Sequence, residues 1–174
     1  MSRTELVYIC SPCRGKTAAE TIDNITKARE YCAKAAEFDP EVIPFAPHVY
    51  FTQWLNDNVP AQRAAGMEMG LAMLEKCSEL WVYGGFGNLT EGMAAEVEYA
   101  RQKKIKIRDM ETGALIRCYA ESVDCIFWPD DESKRCHLML ENAAIKDFKK
   151  AFVEFAEVIK RNAADKVTEP EAEE

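Results

Sequence analysis

No stretch of this chain is apolar over the ~20 residues that a membrane-spanning helix needs. The first residues, Met1 to Leu6, lack the basic and apolar run of a secretory leader, so the seven cysteines, an odd number, read as reduced thiols of a cytoplasmic protein. Positive charge is also in deficit. A net charge of -8 and a pI near 5.0 exclude a generic electrostatic grip on nucleic-acid polymers or anionic membranes, while leaving room for a local basic pocket. About half of that charge lies in the last ten residues, Asp165 to Glu174, which hold five acids and one lysine. There is no internal repeat and no linker-like segment. The 174 residues therefore suggest one domain, 1–164, followed by a disordered acidic tail, 165–174.

Two familiar motifs are incomplete. Gly15-Lys16-Thr17 looks like the end of a phosphate-binding P-loop, but Cys10 stands where that motif needs its first glycine. Cys10-Ser11-Pro12-Cys13 has the spacing of a redox pair, yet Cys10 falls inside an apolar strand pattern rather than at a helix N-terminus. No second CxxC accompanies it and Cys136-His137 is isolated, so no metal site is expected, and no cofactor.

What is present alternates. Leu6-Val7-Tyr8-Ile9-Cys10 reads as a buried strand, and Thr17-Ala18-Ala19-Glu20 has capping-box spacing at the head of a helix. Val42 to Phe45, Leu80 to Tyr83 and Ile105 to Ile107 read as further strands, with helices over roughly 60–76 and from Thr90 to Lys103. Ala114 to Tyr119 and Val123 to Trp128 fit either strand or loop. From Ala143 to Arg161, apolar residues spaced three and four apart suggest a long amphipathic helix that covers the sheet or a partner subunit. The expected class is α/β: a flavodoxin-like or Rossmann-like, mostly parallel sheet with helices on both faces and a long C-terminal helix.

In such sheets ligands sit beyond the carboxyl ends of the strands. Two loops leave such ends. Ser11 to Lys16 brings Arg14, Gly15 and Lys16 to a helix N-terminus, which favours an anion. Gly84 to Thr90 supplies Gly84, Gly85, Gly87, Asn88 and Thr90. In the helix that follows, at 100° per residue, Met93, Val97 and Ala100 share a buried face and Glu96 alone flanks it, whereas Glu91 and Glu98 point away. Pattern alone leaves two readings for Glu96: a carboxylate facing the crevice, or a surface glutamate favoured by the helix dipole. Asn24 fits a loop tie or a ligand contact, and His48 a pocket wall or a turn. Trp54 and Trp81 fit core positions.

The order Val7-Tyr8-Ile9, Ser11-Pro12, Leu80-Trp81-Val82-Tyr83 and Thr90-x-Gly92-Met93-x-x-Glu96-x-x-Tyr99-Ala100 resembles the nucleoside 2-deoxyribosyltransferase-like superfamily. With Asn24, Pro44-Phe45-Ala46-Pro47-His48, Arg63 and Gly66-Met67, it looks closest to an uncharacterised branch common in phage and prophage genomes. The resemblance spans roughly residues 5 to 108. It implies that Glu96 attacks C1′ of a (deoxy)ribose in retaining glycosyl transfer, with Tyr8 orienting it. It implies a substrate site drawn from Ser11, Pro12, Arg14, Gly15, His48, Arg63, Gly85, Asn88, Thr90, Gly92 and Met93. Base-exchanging relatives usually carry an aspartate six residues before the glutamate and monophosphate hydrolases a serine; Thr90 here tilts the expectation toward a (deoxy)nucleoside 5′-monophosphate. It also implies a homodimer or larger assembly. The chain departs from the pattern at Cys10 and Cys13 and has no aspartate beside Thr90. A non-catalytic nucleotide or ADP-ribose-like binding module is the alternative, and a redox protein using Cys10 and Cys13 a third reading.

Overall fold

The computed structural model describes residues 5–118, 122–127 and 136–141, with side chains described for 5–115. The chain runs β1 (Glu5–Cys10), α1 (Ala18–Phe38), β2 (Val42–Phe45), α2 (Pro47–Phe51), α3 (Pro60–Leu74), β3 (Glu79–Val82), a short 3-10 turn (Phe86–Asn88), α4 (Glu91–Gln102) and β4 (Lys106–Asp109). Three more strands follow: β5 (Ala114–Cys118), β6 (Ser122–Phe127) and β7 (Cys136–Glu141). The expected long helix and acidic tail lie outside the described residues.

The seven strands among the described residues form one sheet in the order β2-β1-β3-β4-β5-β6-β7. The first four are parallel, and their order, 2-1-3-4, is the doubly wound arrangement in which successive crossovers leave β1 in opposite directions. From β4 onward the pairing is antiparallel, so Ala114 to Cys118 and Ser122 to Phe127, legible in sequence as strand or loop, are strands of a meander. Pro44 sits in β2, at the sheet's edge, where its missing N–H is tolerated.

The strictly alternating directions of strand side chains split the central apolar runs between two cores. Val7 and Ile9 of β1, with Trp81 of β3 and Tyr83 just past its end, pack under α1 against Ala28 and Ala35. Tyr8 and Cys10, with Leu80 and Val82, face the other way, onto Leu74 of α3 and Met93, Val97 and Ala100 of α4. Trp81 is buried as expected. Trp54 is not: it is 55% exposed just past α2, its ring edge against Phe51 and Tyr50, because the five-residue α2 is too short to carry it under cover.

Helix starts fall where the sequence puts them. Thr17 caps α1 by accepting from the Glu20 N–H, and the Glu20 carboxylate reaches back to the Lys16 N–H, a shifted form of the capping box. Thr90 caps α4, its hydroxyl accepting from the Met93 N–H at 3.3 Å.

Candidate active site

Tyr8 and Glu96 meet on the α3/α4 face of the sheet. Tyr8, near the carboxyl end of β1, is fully buried, and its hydroxyl donates to Glu96 Oε1 at 2.8 Å. Glu96 lies in the second turn of α4, one step around the helix from the buried Met93–Val97–Ala100 stripe, as the angular reading expects. Burial pushes the Glu96 carboxyl up to about 7, against the opposing effects of hydrogen bonds from Tyr8 and from the thiol of Cys10. Burial, reinforced by the neighbouring carboxylate, drives the Tyr8 hydroxyl well above its ordinary value, so Tyr8 remains a proton donor.

The pair forms the inner wall of a cavity of about 250 Å³. That is slightly below the ~300–1,000 Å³ typical of small-molecule sites and far too small for a polymer groove. Behind Tyr8, α3 comes so close at Gly70 that a Cβ there would stand 3.2 Å from the tyrosine hydroxyl. The opposite rim is the first turn of α4, where Thr90, Glu91, Gly92 and Met93 all line the cavity. Glu91, expected to face away, is therefore at the mouth: the end of the helix rather than one side of it points at the opening, so first-turn residues border it at any angle. The Met93 N–H is taken by Thr90. The N–H groups of Glu91 and Gly92 have no partner among the described residues and carry the positive end of the dipole.

The remaining walls come from the β1 loop, α2 and α3. Ser11, buried just past β1, lies 3.2 Å from His48 Nε2, and burial lowers the imidazole to about 4, so His48 is neutral at physiological pH. Arg14 is at the exposed rim. Arg63, in the first turns of α3, reaches back to Asp57 at 3.3 Å, a half-buried ion pair inside the cavity. The turn carrying Asp57 is fixed locally, with Asn56 Oδ1 accepting from the Asn58 N–H and Gln62 Oε1 accepting from the Asn56 N–H.

Of the residues expected at the substrate site, the cavity brings together Tyr8, Glu96, Ser11, Arg14, His48, Arg63, Thr90, Gly92 and Met93. Pro12, Gly15, Gly85 and Asn88 do not line it. Gly15 is pressed against α1, where a Cβ would sit 2.2 Å from that of Glu20, and its N–H donates to Thr21 Oγ1. Lys16, whose N–H is held by Glu20, also lies off the cavity, so of the basic residues Arg14, Lys16 and Arg63 only the two arginines line it: capping turns the loop toward its own helix. Asn88 Nδ2 is tied to the Gly84 carbonyl, and Gly85 is buried beside Glu111. Asn24 resolves as a loop tie, donating to the Cys13 carbonyl at 3.1 Å. Cys13, Thr52 and Asp57 are polar wall residues that the sequence did not single out for the site; for Asp57 the hint was the polar stretch before Pro60.

The cysteines argue against redox chemistry. Cys10 is sealed in the core with its thiol toward the Met93 carbonyl and Glu96, and Cys13 points at Asp57. Burial, aided by those carboxylates, holds Cys10 well above the ordinary thiol range and pushes Cys13 up to about 12, the opposite of a reactive thiolate. Among the described residues, no group of three or more His, Cys, Asp or Glu is placed to hold a metal ion, and no helix is long and apolar enough to cross a membrane.

No curated protein matches the sequence. Among solved structures, the 2-deoxyribosyltransferase of the psychrotolerant bacterium Bacillus psychrosaccharolyticus is similar at 14% identity, with a TM-score of 0.44 over 60% of this chain and 70% of that one. The family model described as "Domain of unknown function (DUF7768)" matches residues 5–110, the stretch from β1 through β4 that builds the whole cavity, and the chain belongs to that family.

Proposed function

We propose that the protein cleaves the N-glycosidic bond of a (deoxy)nucleoside 5′-monophosphate, as an N-glycosidase or a deoxyribosyltransferase-like enzyme, with Glu96 as nucleophile. The observation that carries this reading is the Tyr8–Glu96 pair: a carboxylate withdrawn from bulk water, oriented by a phenol, and facing a cavity of small-molecule size. A Glu96 Oε attacks C1′ as the C1′–N bond breaks, and the bond's electron pair leaves with the base, which takes up a proton. The resulting glycosyl ester is opened at C1′ by water or by a second base, restoring the carboxylate. Positive charge developing at C1′ favours the ionised carboxylate, offsetting the desolvation that raises its pKa. Tyr8 fixes the carboxylate by donating to Oε1.

Arg14 at the rim and the two free N–H groups of α4 suit a 5′-phosphate. Gly92 borders that space, and a Cβ on it would meet nothing within 4 Å, so backbone can approach the ligand there. The test is a panel of (deoxy)nucleoside monophosphates assayed for free base. Wild type is expected to release base and Glu96→Ala to release at least a thousandfold less; no release by wild type, or equal release by the variant, contradicts the proposal. A binding module that holds a nucleotide without breaking it would show saturable binding with no base formed.

A further inference from the structure

The proposed reaction leaves one feature of the cavity unused, the Asp57–Arg63 pair. An ion pair set in a cavity wall, each member with about 30% of its side chain exposed, is poorly explained as a surface contact. Both the Arg63 N–H and the Cys13 thiol converge on Asp57 Oδ2, the latter at 4.0 Å. Oδ1 and the rest of the guanidinium fork have no hydrogen-bond partner among the described residues. The cavity thus presents, side by side, an oxygen that only accepts and a group that only donates. Around them the wall turns apolar, with Phe51, Leu55 and Met67 lining the same space. Gly66 lets Leu55 pack close on α3, where a Cβ would come 3.3 Å from Leu55 Cδ1, and so helps shape the apolar part of this wall.

A phosphate does not fit this end, because Asp57 already neutralises Arg63 and would repel a second anion. The chemistry of this end suits a flat, neutral heteroaromatic ring better. Its edge must place an N–H opposite Oδ1 and an acceptor opposite Arg63. Oδ1 only accepts and calls for an N–H, and the several remaining guanidinium donors are better matched by a carbonyl oxygen with two lone pairs than by a ring nitrogen with one. That edge is a lactam, N–H beside C=O. We infer that Asp57 and Arg63 form the base-recognition edge of the cavity and select nucleotides whose base carries a lactam, as hypoxanthine, guanine, uracil and thymine do, over the amidine edges of adenine and cytosine. This rests on the reading of the cavity as a nucleotide site, but not on the bond being cleaved.

The experiment separates the two. Binding of the 5′-monophosphates of deoxyinosine, deoxyuridine, deoxyadenosine and deoxycytidine is measured by calorimetry on wild type, Asp57→Asn and Arg14→Ala, alongside base release. Wild type is expected to prefer the lactam pair at least tenfold. Asp57→Asn, which can also donate, narrows that preference to within about threefold, while Arg14→Ala weakens all four ligands and keeps the ranking. Equal or reversed preference in wild type, a uniform loss in Asp57→Asn, or no binding of any of the four overturns the inference. Lactam-selective binding without base release would support it and overturn the cleavage proposal; base release without lactam selectivity would do the reverse.

Discussion

Glu96 is a carboxyl group that folding makes harder to ionise, and that has consequences in both rate and stability. Its elevated value, about 7, places the acid limb of kcat/KM for the proposed reaction near neutrality, because the nucleophile must be charged. Tyr8→Phe removes a hydrogen bond that lowers this value, so the limb is expected to move to higher pH, with a ten- to hundredfold drop in rate, as a pH–rate profile would register. For stability, the folded state binds the Glu96 proton more tightly than the unfolded chain does, so stability attributable to this group falls as pH rises from about 4.5 to about 7. The full penalty above pH 7 is on the order of 3 kcal/mol, taken from the shift between 4.5 and about 7. His48 acts oppositely: its value, lowered from 6.5 to about 4, makes stability rise with pH across that window. The two slopes largely cancel in wild type. Glu96→Gln should therefore melt several degrees higher than wild type at pH 8 and expose a stability that climbs between pH 4 and 6.5, which thermal melts across pH will show. Glu96 was legible because helical period set it beside a buried stripe and the motif around it resembled a known nucleophile. Asp57 was not, since its turn has no periodicity and its importance comes from Arg63 folding back onto it.

At the scale of elements, the site depends on how closely α3 lies on β1. Gly70 allows that approach, and a methyl at this position would press on the Tyr8 hydroxyl from 3.2 Å. Alanine is the better helix former by roughly 0.5–1 kcal/mol, so Gly70→Ala should alter the melting temperature little while cutting base release by about tenfold. Large losses in both, or in neither, would contradict this account of α3. Thr90→Ala removes the α4 cap and should cost about 1 kcal/mol, with weaker monophosphate binding because the first turn frays at the phosphate end. Apart from the short α2 and the 3-10 turn, which the sequence did not suggest, the elements from β1 through β4 were readable because their apolar runs were bounded by a cap, a proline or a glycine. The strands past Asp109 were not ordered by sequence, because short apolar runs fit strand or loop until a partner is known, and here that partner is the neighbouring antiparallel strand. Trp54 shows the same limit from the other side: hydrophobicity suggested core, but α2 is too short to bury it.

For the whole molecule, an acidic chain with net charge -8 has to attract a phosphorylated ligand locally rather than through its overall field. In the proposed reading Arg14 and the α4 N-terminus meet that requirement, while Arg63 is neutralised by Asp57. Binding of a monophosphate should therefore weaken only modestly with added salt, and single- or double-stranded nucleic acid should not compete. A homodimer or larger assembly is also expected, and scattering should give a mass at least twice the 19.7 kDa of one chain. The central claim is that the carboxylate held by Tyr8 performs chemistry, and quantifying free base released from nucleoside monophosphates by wild type and Glu96→Gln tests it most directly. The account predicts release by wild type and at least a thousandfold less from a variant that folds and still binds the nucleotide; equal release from the two proteins, or none from wild type, would contradict it.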